Sequence, residues 1–385
     1  MNESMRAWLE QQAQTRERRG LTRELVPRSP ARDILDLASN DYLGLSTDTR
    51  LAESAAQAGK MWGTSATSSR LVVGTTELHE ELERALAALL GMESALAYSS
   101  GYLANVGVIT ALGGPGTLIV ADSHCHASMI DGFRLSRSRT ETFEHNTVTD
   151  ADRLLADRPE PRALIAVESI YSVLGDEAPL SDLLDLAVRH DAVLLVDEAH
   201  SVGVSGGGRG AVAGTPLAGH PNVIVTATLS KALGSQGGAV LGSQAIRAHL
   251  INRSRTFIFD TGLAPSAAAA ALTAIGIIGD EPWRIVALHR NAETLTSGLA
   301  GRLSDLDLSI EHGVGAVQSI PMPSPQVAVD CAHAARAAGI RIGCFRPPSV
   351  PDGMSRLRLT ARATLTADEI ATVCSVLGAI IEERL

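Results

Sequence analysis

Short, continuously apolar segments alternate with helical segments through the middle of this 385-residue chain. A strand that is apolar at every position must be covered on both faces. Such strands, separated by helices, therefore predict an α/β fold with a mainly parallel sheet between helical layers. The helical segment Leu180 to His190 carries its apolar residues at helical spacing. The predicted strands are Thr117 to Ala121, Ala163 to Glu168, Val193 to Asp197, Val223 to Ala227 and Ala239 to Gly242.

The length of the chain fits one large domain and a smaller one. We expect an N-terminal segment over residues 1–45, a large domain over 46–285 and a small C-terminal α+β domain over 286–385. Within the large domain, one helix is expected to begin after Thr76 and to stop at Gly91. The last helix of the chain is expected from about Thr366.

Composition excludes some classes of function. Aromatic residues make up only 3% of the chain, which predicts an aliphatic core, and the formal charge of −10 argues against a nucleic-acid-binding surface. No apolar run reaches the length of a membrane span and no signal-peptide pattern begins the chain, so we expect a cytoplasmic protein. The four cysteines are far apart and are interpreted as reduced thiols. The segment His124 to His126 looks like a metal cluster, but no further group lies at ligand spacing, so no metal is predicted.

A lysine, an aspartate and a histidine follow two of the predicted strands. Asp197 and His200 end the strand at Val193, and Lys231 ends the next strand, just before a run of glycines. Ligands of open α/β sheets gather at the carboxyl ends of the strands. Together these side chains suit pyridoxal phosphate, because the lysine can hold it as a Schiff base and the aspartate can keep its pyridine nitrogen protonated. Either residue alone is better interpreted as a surface lysine or a helix cap; the combination favours the cofactor site.

Further polar residues follow the other strands. Gly101 and Tyr102 begin a helix whose free amides could hold a phosphate, and the tyrosine could lie against an aromatic ring. His126 could stack on a flat cofactor, and Glu168 and Ser172 follow the next strand. Each has a structural alternative when taken alone, as a turn, a structural histidine or a helix cap.

Five segments in order carry the motifs of one family. They are Ser39 to Leu45, Ser99 to Asn105, Ser123 to Ser128, Val196 to His200 and Thr228 to Gly238. Through them the chain resembles the α-oxoamine synthases, homodimeric fold-type I pyridoxal phosphate transferases that condense an amino acid with an acyl thioester and lose carbon dioxide. The resemblance runs from about Leu35 to about Leu359.

The resemblance implies roles for individual residues. Lys231 corresponds to the Schiff-base lysine, Asp197 to the partner of the pyridine nitrogen and His126 to the ring-stacking histidine. His200 and Ser172 correspond to partners of the cofactor's phenolic oxygen. The remaining matches are Gly101, Tyr102 and Thr228 at cofactor-binding positions, Asn40 and Glu168 near the reacting centre, Arg358 at the substrate carboxylate, and Arg346, Ser349 and Arg23 on the acyl-substrate side.

Three further stretches of the sequence bear on the resemblance. The stretch Phe345 to Pro351, followed by Ser355 to Thr360, is similar to members that join L-alanine to a pimeloyl thioester in biotin biosynthesis; the alternative is a member that uses glycine or serine with another acyl group. Arg356 and Arg358 alternate along a strand, and Arg356 is interpreted as a surface residue. The segment Gly63 to Arg70 is rich in serine and threonine, where relatives have a glycine-rich run that approaches the phosphate from the neighbouring subunit.

Two other classes of function share features with this sequence. Asp197-Glu198-Ala199-His200 matches the acidic box of helicase ATPases, but the chain lacks the Gly-x-x-x-x-Gly-Lys-Ser/Thr motif that such enzymes need for phosphates. A regulatory protein of the same fold would lack the lysine or carry an added DNA-binding domain, and the sequence shows neither. Both features favour an enzyme.

Overall fold

A computed structural model of the chain describes residues 1–23, 25–30, 34–347, 350 and 352–385. Within them, the strands form two sheets flanked by helices. The strands are β1 (Leu35–Leu37), β2 (Ser94–Tyr98), β3 (Thr117–Asp122), β4 (Arg139–Phe143), β5 (Arg162–Glu168), β6 (Val193–Asp197), β7 (Val223–Thr228), β8 (Gly238–Gly242), β9 (Glu311–His312), β10 (Val317–Pro321), β11 (Ile340–Phe345) and β12 (Arg356–Thr360). The helices are α1 (Glu3–Arg18), α2 (Thr49–Trp62), α3 (Glu77–Leu90), α4 (Gly101–Leu112), α5 (Ala127–Ser136), α6 (Val148–Ala156), α7 (Leu180–Arg189), α8 (Gln244–Arg253), α9 (Arg255–Ile258), α10 (Pro265–Asp280), α11 (Trp283–Ser304), α12 (Pro325–Ala337) and α13 (Ala367–Arg384).

The larger sheet has seven strands in the order β2-β8-β7-β6-β5-β3-β4. Strand β8 is antiparallel to both of its neighbours, and every other neighbouring pair is parallel. Helices α4, α5 and α8 cover one face, while α3, α6, α7 and α10 cover the other. Side chains alternate between these two aliphatic cores along each strand, so β3 and β7 are buried at every position. The mainly parallel sheet predicted from the apolar strands is confirmed.

The smaller sheet has five strands in the order β1-β11-β12-β10-β9. Its edge strand comes from the start of the chain, because β1 pairs in parallel with β11 and places Leu35 opposite Ile340. The N-terminal segment is therefore joined to the C-terminal sheet by backbone hydrogen bonds. The domain boundaries at residues 45 and 285 stay a prediction.

The ends of two predicted helices are defined by capping residues. Thr76 and His79 form a reciprocal capping box at the start of α3, and Gly91 ends this helix in the left-handed conformation at φ 69°. Thr366 and Glu369 form the corresponding box at the start of α13. These helix ends are confirmed.

The predicted apolar strands lie within one residue of their observed bounds. Strand β4 was missed because its sequence, Arg-Thr-Glu-Thr-Phe, is polar; it forms the edge of the sheet, where one side faces water. In the described part of the chain, no helix is both long enough and apolar enough to cross a membrane.

Candidate active site

The carboxyl ends of the central strands bring the predicted residues together. Glu168 ends β5 and lies opposite Asp197, which ends β6. Strand β7 pairs with β6 on the side away from β5 and ends at Thr228. Lys231 follows β7 by three residues, and His200 follows β6 by three. The sheet register therefore gathers an amine, an imidazole and two carboxyl groups that are far apart in the sequence.

Lys231 is half-buried and contacts His200 directly. Its Nζ lies 2.6 Å from His200 Nε2, and the other ring nitrogen, Nδ1, lies 2.6 Å from the hydroxyl of Tyr42. His200 is 5% exposed and Tyr42 is completely buried. Burial, reinforced by the positive charge of Lys231, lowers the pKa of His200 well below its usual value, so the imidazole is neutral at pH 7.

The pKa of Lys231 is set by opposing effects. Burial lowers it, the carboxyl groups of Asp197 and Glu168 raise it, and Arg358 lowers it, with the result that the pKa falls to about 8. An ordinary lysine is almost entirely protonated at neutral pH. This one can release its proton near pH 8, which suits both a nucleophilic amine and a base.

Asp197 is held by a buried amide. Its Oδ2 accepts from Asn105 Nδ2 at 2.7 Å and its Oδ1 from the backbone N–H of Ala199 at 2.9 Å. Asn105 is in turn fixed because its Oδ1 accepts from Thr226 Oγ1 at 2.7 Å and its Nδ2 also lies 2.9 Å from Ser128 Oγ. The carboxylate is thereby oriented while each oxygen keeps acceptor capacity for a further donor.

The same network reaches His126. Its Nδ1 lies 2.7 Å from the hydroxyl of Ser128, which also accepts from Asn105, at the start of α5. The ring of His126 keeps an exposed face, while burial of its surroundings lowers its pKa. The imidazole is therefore held in a fixed orientation close enough to Asp197 and Lys231 for their charges to affect its pKa.

The start of α4 packs closely against the ends of β7 and β8, beside two hydroxyl groups. A Cβ added at Gly101 would come within 3.0 Å of Thr228, and one added at Gly238 within 2.5 Å of the Gly101 backbone. Only glycine permits this close approach of the helix start to β7 and β8. The Leu103 amide is capped by Ser100 Oγ at 3.1 Å, and the hydroxyls of Thr228 and Ser230 lie 2.8 Å apart beside the same turn. First-turn amides with neighbouring hydroxyls bind phosphate groups well.

Glu168 contributes a buried carboxyl group with spare hydrogen-bonding capacity. It is 2% exposed, and its Oε1 has no partner. Burial and the neighbouring Asp197 raise its pKa well above the usual value. The backbone N–H of Ser172, on the loop after β5, donates to this group.

Two buried arginines on β12 differ in what they bind. Arg356 is 3% exposed and pairs with Glu311 at 2.7 Å and Asp352 at 2.6 Å, so its interpretation as a surface residue is wrong. Arg358 is 5% exposed, and within the described residues no carboxylate forms an ion pair with it. Its Nη2 donates to Asn40 Oδ1 at 2.6 Å, its guanidinium lies over the ring of Phe345, and its Nε has no partner.

Two of the residues assigned to the acyl side lie in a cavity that Phe345 also lines. Arg23 and Arg346 line one cavity of about 120 Å³ with Phe345. Arg346 donates to the backbone carbonyls of Gly20 and Thr22. Ser349 lies outside the described residues.

Tyr102 and Glu198 have other partners. Tyr102 is 44% exposed at the start of α4, and its hydroxyl donates to Asp131 on α5. Glu198 is completely buried and accepts from the amides of Val212 and Ala211, at 2.7 and 3.1 Å. It therefore anchors the chain directly after the glycines of residues 206–210. Glu198, the second residue of the helicase-like acidic box, therefore has a structural role. Among the described residues, no group of three or more His, Cys, Asp or Glu side chains is arranged to hold a metal.

Sequence reasoning missed Asn105 and Tyr42. Both stand inside motifs quoted above, but their contacts span 92 and 158 residues and depend on the sheet register. One available signal was the amide of Asn105 in an otherwise apolar helix. For Lys231, a further signal in the sequence is that the chain has only two lysines, Lys60 and Lys231, of which only Lys231 follows a buried strand.

The donor set fits pyridoxal phosphate. It includes a lysine of lowered pKa, a fixed buried carboxylate for the pyridine nitrogen and a helix start that only glycine allows near Thr228. Two buried polar atoms of this site, Glu168 Oε1 and Arg358 Nε, have no partner among the described residues and can bond to a ligand.

Comparisons with known proteins agree with this chemistry. Residues 32–377 match the family model described as aminotransferase class I and II. The 8-amino-7-oxononanoate synthase of Mycobacterium avium (strain 104) is 50% identical over 375 residues, which cover 97% of this chain and 96% of the relative. That of Mycolicibacterium gilvum is 49% identical over 376 residues, covering 97% of each chain.

Solved structures share the fold. A serine palmitoyltransferase variant from S. paucimobilis, solved with pyridoxal phosphate and myriocin bound, has a TM-score of 0.90 and 28% identity, covering 100% of this chain and 99% of that chain. The 8-amino-7-oxononanoate synthase of Francisella tularensis has a TM-score of 0.76 and 25% identity, covering 91% and 98%. The predicted fold-type I transferase class is confirmed, and the predicted cofactor is the one found in the first of these structures. The chain belongs to the aminotransferase class I and II family and, within it, to the 8-amino-7-oxononanoate synthases.

Proposed function

We propose that the protein uses pyridoxal phosphate to condense L-alanine with a pimeloyl thioester, releasing the thiol and carbon dioxide and forming 8-amino-7-oxononanoate for biotin biosynthesis. The observation that carries this proposal is the 50% identity to an 8-amino-7-oxononanoate synthase over 97% of the chain. The shared fold alone does not select the substrates, because one fold hosts many functions.

Several residues would hold the cofactor. Lys231 would bind it covalently, Asp197 would pair with its pyridine nitrogen, and His126 would lie on its ring. The phosphate would be held by the start of α4 at Gly101 and Tyr102, with Thr228. His200 and Ser172 would be hydrogen-bond partners of its phenolic oxygen.

When bound, pyridoxal phosphate supplies an electron sink that stabilises a carbanion at the amino-acid Cα. Lys231, in its neutral form, takes the proton from that carbon and later returns a proton to it after carbon dioxide has left. The negative charge of Asp197 keeps the electron sink effective, and Asn105 holds this carboxylate in position. Glu168, opposite Asp197 in the sheet register, would lie near the reacting centre.

The substrates would be placed by arginines. Among the described residues Arg358 has no carboxylate partner and its Nε is unpaired, so it suits the carboxylate of alanine, with Asn40 beside it. Arg346 and Arg23, in the cavity beyond Phe345, would meet the acyl substrate together with Ser349.

A second candidate is a serine-dependent synthase of the same family. It is favoured by the serine palmitoyltransferase folds, whose TM-score of 0.90 exceeds the 0.76 of the Francisella enzyme. Sequence identity favours the first candidate, at 50% against 28%.

A purified-protein assay separates the two. L-alanine, L-serine and glycine are each incubated with pimeloyl-CoA, pimeloyl-acyl carrier protein or palmitoyl-CoA, and free thiol and product mass are measured. We expect turnover with L-alanine and a pimeloyl thioester. Turnover only with L-serine and palmitoyl-CoA would establish the second candidate instead.

We propose that the protein acts as a homodimer. The segment from the end of α2 to the turn before α3 exposes large apolar side chains that a monomer would leave in water. They are Met61 (76% exposed), Trp62 (40%), Leu71 (51%), Val72 (71%) and Val73 (64%). In a dimer, this placement would let the serine- and threonine-rich segment between them reach the partner's phosphate. Sedimentation should give twice the chain mass, and Val72→Glu should shift the equilibrium toward monomer.

The remaining partner and location predictions rest on composition. The formal charge of −10 offers no general surface for nucleic acid, and we propose a cytoplasmic location. Fractionation of cells that express the tagged protein tests the location.

A further inference from the structure

Tyr42 connects the reactive lysine to the arginine at the carboxylate site. From Lys231 Nζ the path runs 2.6 Å to His200 Nε2, and from Nδ1 a further 2.6 Å to the Tyr42 hydroxyl. The hydroxyl then donates to Asn40 Oδ1 at 3.3 Å, which also accepts from Arg358 Nη2 at 2.6 Å. Every link in this path is a hydrogen bond between side chains.

Donor and acceptor chemistry allows one tautomer of His200. An ammonium group has only donors, so His200 Nε2 must present a lone pair to Lys231 at 2.6 Å. In a neutral imidazole the proton then resides on Nδ1, which donates to the oxygen of Tyr42. The Tyr42 hydroxyl proton is left to donate to Asn40. The opposite tautomer would place two donors against each other at Nε2.

The surrounding charges agree with this arrangement. The titratable groups that face His200 are Lys231, Arg358 and His126, and all of them favour the neutral ring. Burial raises the pKa of Tyr42 to about 12 although the nearby positive charge of Arg358 lowers it, so the hydroxyl keeps its proton across the working pH range. Glu168 also faces Tyr42 and acts in the same direction as burial.

We propose that Tyr42 is a positioning residue that fixes His200 as the Nδ1–H tautomer, so that Nε2 accepts a hydrogen bond from Lys231 and holds its ammonium in place. The inference deepens the proposed function, because it takes Lys231 as the reactive amine. It assigns a chemical reason for a tyrosine hydroxyl at a position where packing alone would accept phenylalanine.

The tautomer and the lysine can both be observed by NMR in the full-length protein freed of cofactor. Histidine labelled with ¹⁵N reports which ring nitrogen carries the proton, and a His200→Gln variant assigns the signal. Lysine labelled with ¹³C gives two side-chain signals, from Lys60 and Lys231, and Lys60→Arg assigns them. Lys60 is exposed and serves as an internal reference.

In the wild-type protein we expect a protonated Nδ1 and an unprotonated Nε2 on His200 at pH 7. In Tyr42→Phe, Nδ1–H loses its partner, the ring shifts toward the Nε2–H tautomer, and the ammonium of Lys231 loses an acceptor. The titration midpoint of Lys231 should then fall by about one pH unit, the effect of one hydrogen bond to a charged group.

The matched control is Tyr98→Phe. Tyr98 is 2% exposed and donates to Ser254 at 3.0 Å, away from Lys231, so its loss removes an equally buried hydroxyl and should leave both signals unchanged. A wild-type Nε2–H tautomer at pH 7 would overturn the proposal even if Tyr42→Phe failed to fold. Unchanged signals in a folded Tyr42→Phe protein would overturn it as well.

Failure of the proposed function would be recognised separately. If wild-type protein does not form a borohydride-reducible link to pyridoxal phosphate, the function fails whatever the tautomer. If that link forms in wild type but the NMR signals do not depend on Tyr42, only the role of Tyr42 is wrong.

Discussion

Replacing Arg358 with lysine should weaken the binding of L-alanine while leaving the cofactor site intact. In the structure Nη2 of Arg358 donates to Asn40, while Nε, which forms a planar donor pair with Nη2, has no partner among the described residues. A lysine offers one ammonium group in place of this planar pair and cannot keep the contact with Asn40 at the same time. The variant therefore loses about one hydrogen bond to a charged group.

Such a bond contributes about 1.5–3 kcal/mol, so the dissociation constant for L-alanine should rise roughly tenfold to a hundredfold. The assay is titration of the cofactor's absorbance with L-alanine. The control is Arg346→Lys, which lies beyond Phe345 and should leave L-alanine binding unchanged while weakening use of the acyl thioester. An unchanged dissociation constant in Arg358→Lys would refute the assignment and make Arg346 the next residue to test.

Three further changes test other contacts. Asn105→Ala removes the buried donor to the active-site aspartate and should cost about 1–3 kcal/mol of stability in urea unfolding, with a loss of turnover that exceeds the loss of folded protein. Gly210→Ala should lower the melting temperature strongly, because its Cβ would lie 1.9 Å from Glu198 at φ +97°, whereas Gly276→Ala, on a helix with open space, should be neutral or stabilising. Burial opposes protonation of His145, but two carboxylate partners outweigh it and raise its pKa to about 9. The stability it adds is complete below about pH 6.5 and is lost as pH rises through about 9, so the melting-temperature difference between wild type and His145→Gln should shrink over that interval; a difference that grows instead would contradict the assignment.

The sequence predicts the fold class because burial on both faces leaves a direct trace in the apolar strands. It does not predict β4, whose polar residues form the sheet edge, or the pairing of β1 with β11, which joins the two ends of the chain. No local pattern encodes a contact between strands 300 residues apart.

Some residues of the candidate site can be predicted from the sequence, and others are found only in the folded structure. Lys231 and Asp197 are visible because each follows an apolar strand. Asn105 and Tyr42 are polar residues in segments whose partners are set only by the sheet register, so their roles need the folded structure. The burial of Arg356 was missed because a strand pattern does not show that Glu311 and Asp352 would neutralise it.

The central claim is that Lys231 holds the cofactor, and the scarcity of lysine makes the test direct. The purified protein is loaded with pyridoxal phosphate, reduced with borohydride, digested and mapped by mass spectrometry; only Lys60 and Lys231 can carry the label among lysine side chains. The account predicts a modified peptide containing Lys231, unchanged in Lys60→Arg and absent in Lys231→Ala. A label found on Lys60 in place of Lys231, or full labelling of Lys231→Ala, would contradict it.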